Sequence, residues 1–225
     1  MTTDLPPWMR RAFSPARLAP YLAACGGDPA TAERLYWWNS EVSAAFLGPL
    51  HCLEVTLRNA LHQQLHSRFG RADWWTAAPL NAVGRRLVGE AEAKFLRRSP
   101  VRQITSDDIV AQLSFGFWVS LLSNSRGSSY DRHLWVPTLH RAFPHYSGRR
   151  ALLHDNFESM RLLRNRIMHY EPIHHRDLLA DHTKLYRLLN YVDAVAAKEV
   201  AAMDRVPTVL RQRADACAGR RHPRF

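Results

Sequence analysis

Leu50, Leu53, Leu57, Leu61 and Leu65 recur every three or four residues, a spacing that places all five on one stripe of an α-helix and on no single face of a strand. A stripe of that length needs a partner surface of the same kind, so the chain has to build its core from packed helices. The punctuation around the stripe repeats this message. Ser14-Pro15 reads as an N-cap followed by proline at the first helical position, and Gly26-Gly27 closes that short helix. Asp28-Pro29 opens a helix running past Trp37 to Phe46; Gly48-Pro49 is expected to interrupt it, and a second run from His51 to Phe69 ends at Gly70. Further helical runs are expected at 81–98, 107–123, 131–142, 149–170 and 175–203, the second of these opened by the cap-forming Thr105-Ser106-Asp107-Asp108. Alternating strands bounded by Asn-Gly or Asp-Gly turns are absent. The fold class expected is all-α, with an N-terminal arm and short helix at 1–27, one helical domain at 28–204, and a basic, mobile tail at 205–225.

The chain has 225 residues and is 46% hydrophobic, which supports a substantial core and excludes a disordered or collagen-like polymer. No signal-peptide pattern opens it, and its apolar stretches are broken before membrane-spanning length, so a cytoplasmic location without membrane contact is expected. Cys25, Cys52 and Cys217 are scattered and odd in number, which fits reduced, inert thiols better than disulfides or zinc. A formal net charge of +11 points to a polyanionic partner, nucleic acid before others.

The segment MRLLRNRIMHYEPIHH, residues 160–175, concentrates the chemistry. On a helical wheel Phe157, Met160, Leu163, Ile167 and Tyr170 form the core stripe, while Asn165 and His169 share a face nearly opposite it, with Leu162 nearby and Arg164 between the two faces. Pro172 disfavours helix at Glu171, which puts His169 in the last turn. There the unpaired carbonyls and the negative helix end favour an imidazolium. An arginine that grips phosphate, an asparagine that orients, and a histidine able to move protons are the groups that RNA cleavage needs without a metal.

LRNRIMHYEPI resembles the R-x4–6-H motif of the HEPN superfamily (higher eukaryotes and prokaryotes nucleotide-binding domains), in the form found in the Abi-like abortive-infection family. LEVTLRNAL (53–61) and IVAQLSFGFWVSLL (109–122), with Asp73-Trp74-Trp75 between them, are similar to that family as well. The resemblance spans about residues 30–200. It implies a HEPN-like helical bundle with additional N- and C-terminal helices, a homodimer with a composite cleft, and metal-independent endoribonuclease activity in phage defence or as a toxin, with no cofactor. By position it implies Arg164, Asn165 and His169 as the catalytic set. Arg161, Arg166, Tyr170 and the echo Arg58-Asn59 are candidate RNA contacts. Tyr170 departs from the histidine that many relatives carry there. The partner that restrains such an enzyme is an antitoxin protein or an inhibitory RNA. A non-catalytic RNA-binding regulator and a helical scaffold are the other function classes that the residues admit.

Other constellations are weaker. His62 and His66 have the spacing of a helical zinc site but lack the glutamate of H-E-x-x-H. His174, His175, Asp177, Asp181 and His182 read as a solvated helix start rather than a metal site. Phe115, Phe117 and Trp118 read as core. Arg58 can pair with Glu54 one turn away. No metal site is expected.

Overall fold

The structure is a computed structural model that describes residues 4–98, 101–123 and 129–225. The described residues form helices and no strand: α1 (Pro7–Phe13), α2 (Pro15–Ala24), α3 (Pro29–Phe69), α4 (Ala82–Arg98), α5 (Ser106–Gln112), α6 (Phe115–Ser120), α7 (Arg150–Met168), α8 (Leu178–Val192), α9 (Ala194–Met203), α10 (Val206–Arg211) and α11 (Arg213–Cys217). The chain is all-α. No described helix is long and apolar enough to cross a membrane.

Four elements differ from the sequence expectation, each for a physical reason. The break expected at Gly48-Pro49 does not occur, and α3 runs unbroken from Pro29 to Phe69. A proline inside a helix costs about 3 kcal/mol. Burial on either side offsets it, since Ala45, Phe46, Leu50 and Leu53 are at most 4% exposed and each large apolar side chain contributes about 1.5–3 kcal/mol. The run 107–123 divides into α5 and α6 because the Ser114 hydroxyl accepts a hydrogen bond from Phe117 N and starts a new helix. The run 175–203 divides at Asp193, whose carboxylate accepts from Val195 N and Ala196 N. Residues 131–142 form a π-helical turn at Asp131–Trp135 and a 3-10 turn at Leu139–Ala142 instead of a regular helix. The acidic entry at 105–108 is a full capping box: Thr105 caps Asp108 N while the Asp108 side chain accepts from Thr105 N.

By its contacts the chain divides into two compact units, Met1–Leu50 with Leu163–Thr183 and Ala201–Phe225, and His51–Leu162 with Lys184–Val200. In the second, Leu53, Leu57, Leu61 and Leu65 are fully buried, as are Trp74, Phe117, Trp118 and Phe157. Arg150 is 8% exposed there. Its guanidinium donates to the Leu122 and Ser123 carbonyls and to Asp131 at 2.8 Å, beneath the Trp135 ring, so the start of α7 is fixed by a satisfied buried cation.

In the first unit, Trp38 is fully buried and donates from Nε1 to the Val209 carbonyl at 3.1 Å, with Arg213 over its face. Glu41, 2% exposed, takes both arms of Arg221 at 2.5 and 2.7 Å. Burial would raise the Glu41 carboxyl, but the hydrogen bonds from Arg221 and the Arg224 backbone outweigh it and hold it below the usual carboxylate range. Residues 205–225, expected as a mobile tail, are therefore a packed strap: α10 and α11 bury Val206, Val209 and Ala216, and Phe225 stacks on Trp37. The reason is amphipathic placement that a count of large apolar residues does not register.

Candidate functional site

The end of α7 positions the motif residues. Phe157, Met160, Leu163 and Ile167 are buried, as the wheel requires. Asn165 is half-buried and His169 exposed on the other side. Leu162 and Met168 add exposed apolar surface, at 48% and 49%. Tyr170, expected on the core stripe, is 79% exposed instead, because the helix has ended: it sits at φ 58°, in the left-handed region.

The turn that removes it is a Schellman motif. Glu171 N donates to the Arg166 carbonyl at 2.8 Å and Tyr170 N to the Ile167 carbonyl at 3.0 Å. The same bond pair closes α2 and α11, where the left-handed position is Gly26 and Gly219. Only at the motif helix, among these three, does a bulky residue occupy it, at a cost of about 1 kcal/mol. Arg17 Nη1 holds the turn from outside by donating to the Tyr170 carbonyl at 2.5 Å. Replacing Tyr170 with Gly is expected to raise stability by about 0.5–1 kcal/mol, a shift of about 1–4 °C in Tm. A lowered Tm on calorimetry would mean that the tyrosine ring contributes more by contact than its backbone costs.

The polar groups at this end differ in how far they are committed. Arg164 Nη1 donates to Asn165 Oδ1 over a long 3.4 Å, and Arg58 Nε makes the same kind of contact to Asn59 Oδ1 at 3.3 Å on α3. Arg161 is locked into a two-armed pair with Glu158 at 2.7 and 2.5 Å. Arg166 donates to His175 Nε2 at 3.0 Å and lies 3.6 Å from Glu171. The His169 imidazole, by contrast, makes no hydrogen bond among the described residues; its backbone N donates to the Asn165 carbonyl at 2.9 Å, the last helical bond of α7.

No match to this chain was found among protein-family models, curated proteins or solved structures.

The remaining sequence candidates find structural partners. His62 Nδ1 accepts from Trp74 Nε1 at 3.0 Å, a role open only to the neutral ring, and burial followed by the neighbouring His66 lowers its pKa accordingly. Asp181 accepts both arms of Arg176 at 2.8 and 2.9 Å, Asp177 caps α8 through Ala180 N, and His182 Nε2 lies 2.6 Å from Asp204. His174 is 6% exposed, and its Nε2 has no hydrogen-bond partner among the described residues. Burial above all, then His175 and Arg213, brings its pKa down to about 4.

One feature escaped the sequence reading altogether. A cavity of about 480 Å³ opens in the first unit between α1, α2, α3 and the end of α7, lined by Phe13, Arg17, Tyr21, Tyr36, Asn39 and Tyr170 among others. The signal was present in the aromatic-rich YWWNS (36–40), but nothing local ties it to residues 13–21 or to Tyr170.

Proposed function

We propose that this protein is a metal-independent endoribonuclease of HEPN, Abi-like type, acting as a homodimer in phage defence or as a toxin. The observation that carries the reading is the end of α7, where an exposed His169 with an uncommitted imidazole follows Arg164 and Asn165 by one turn on a protein of net charge +11. In the reaction, the ribose 2′-oxygen attacks the adjacent phosphorus and loses its proton to a base. The P–O5′ bond breaks, and an acid protonates the departing 5′-oxygen. His169 supplies one of the two proton transfers; Arg164 offsets the charge on the phosphorane; Asn165 orients the sugar or the imidazole. The products are a 2′,3′-cyclic phosphate and a 5′-hydroxyl. Arg58-Asn59 is an additional contact for the RNA backbone.

Cleavage of an end-labelled RNA is expected to continue in excess EDTA and to leave those two ends. Activity lost in chelator and restored by a divalent ion would overturn the mechanism. A net charge of +11 also supports a second reading, RNA binding without cleavage. Salt-sensitive binding with intact RNA would establish it.

A further inference from the structure

The lining of the 480 Å³ cavity in the first unit is chemically one-sided. Phe13, Tyr21 and Tyr36 supply aromatic walls, with the Phe13 and Tyr36 rings 5.1 Å apart and those of Tyr21 and Tyr36 5.2 Å apart. Ala12, Ala44, Leu47 and Ile167 add apolar surface. Among the described residues Arg17 is the one charged residue of the lining, and no carboxylate faces it there. Its only hydrogen bond among the described residues goes to the Tyr170 carbonyl, so most of its guanidinium N–H groups are uncommitted.

Two neutral polar groups of the lining can also donate. Asn39 is 5% exposed, and its Oδ1 is already spent on Ile173 N at 2.9 Å and His174 N at 3.0 Å. Only its NH2 remains, and that group has no partner among the described residues. Tyr21, 2% exposed, has a hydroxyl with no hydrogen-bond partner among them either. Both residues line the cavity, and a cavity that supplies a cation and free donors but no anion is complementary to an acceptor-bearing, negatively charged guest. Its size falls in the range of about 300–1,000 Å³ usual for small-molecule sites.

We propose that this cavity is a binding site for a planar aromatic carboxylate of one or two rings. The ring lies against Phe13, Tyr21 and Tyr36, the carboxylate meets Arg17, and the Asn39 amide and Tyr21 hydroxyl donate to the remaining acceptors. Because the same guanidinium holds the Tyr170 carbonyl, occupancy is felt at the left-handed turn that follows His169. This makes the cavity a control point independent of which reaction the turn serves.

The test titrates the full chain calorimetrically with indole-3-carboxylate, 1-naphthoate and benzoate, and with indole-3-carboxamide as the neutral match. At least one carboxylate is expected to bind, and the carboxamide at least tenfold more weakly than indole-3-carboxylate. Arg17 is exposed, so Arg17→Gln leaves the fold intact and should erase that preference, whereas Ala44→Phe should block carboxylate and carboxamide alike by filling the space. In amide NMR spectra, ligand should shift Tyr170 and Glu171 in wild type and not in Arg17→Gln. No binding by any carboxylate, equal affinity for carboxylate and carboxamide, or a preference that survives Arg17→Gln would each overturn the proposal. None of these outcomes depends on RNA cleavage.

Discussion

His169→Ala is expected to lower RNA cleavage by about 10²–10⁴-fold, the contribution of a positioned acid or base, with fold and RNA affinity nearly unchanged. The side chain is exposed and makes no hydrogen bond among the described residues, so its removal creates no cavity and orphans no partner. Cleavage rates, filter binding and the far-UV spectrum of the variant separate the alternatives. Full activity in the variant would remove His169 from the mechanism, and an unfolded variant would make it a structural residue. The homodimer reading adds a further arm. Arg164→Ala and His169→Ala proteins, unfolded and refolded together, place one intact Arg164 and one intact His169 on opposite subunits of the heterodimer. Cleavage is expected to return in the mixture if the cleft is shared. Confirmed heterodimers without activity would show that each chain carries its own site.

The second large effect is on stability in acid. His174 takes up a proton near its ordinary value of 6.5 when the chain is unfolded but only near 4 when folded. Between those limits the unfolded state therefore binds more protons, and stability falls as pH falls. The loss should reach about 2 kcal/mol by about pH 5 and about 3 kcal/mol at the lower limit. Glu41, held below its usual value by Arg221, acts in the same direction only at lower pH, as its carboxylate is protonated. His174→Phe removes the proton acceptor and the orphaned Nε2 while leaving the backbone bond to Asn39 in place. Denaturant unfolding of both proteins across pH 7 to 4 is expected to show a flatter profile for the variant in the upper part of that window. Superimposable profiles would mean that His174 is not the group responsible.

The sequence carried whatever depends on near neighbours. The 3.6-residue spacing of leucines placed the stripes of α3 and α7, and Leu53 to Leu65 and Phe157 to Ile167 are buried accordingly. The Thr105 capping box and the glycine at the end of α3 are likewise settled within a turn of chain, because caps and left-handed residues satisfy backbone groups only a few positions away. Pro172 limited α7 for the same reason, and the half-burial of Asn165 and the exposure of His169 followed from their angle to the core stripe. Tertiary structure decided the rest. Pro49 stays helical because buried side chains on both flanks outweigh a local cost. Asn39 reaches residues 134 and 135 positions away, and Arg221 reaches Glu41 across 180, so neither the cavity floor nor the packed C-terminal strap can be read from any short window. Burial, which no periodicity encodes for a single histidine, is the largest cause of the depressed pKa of His174.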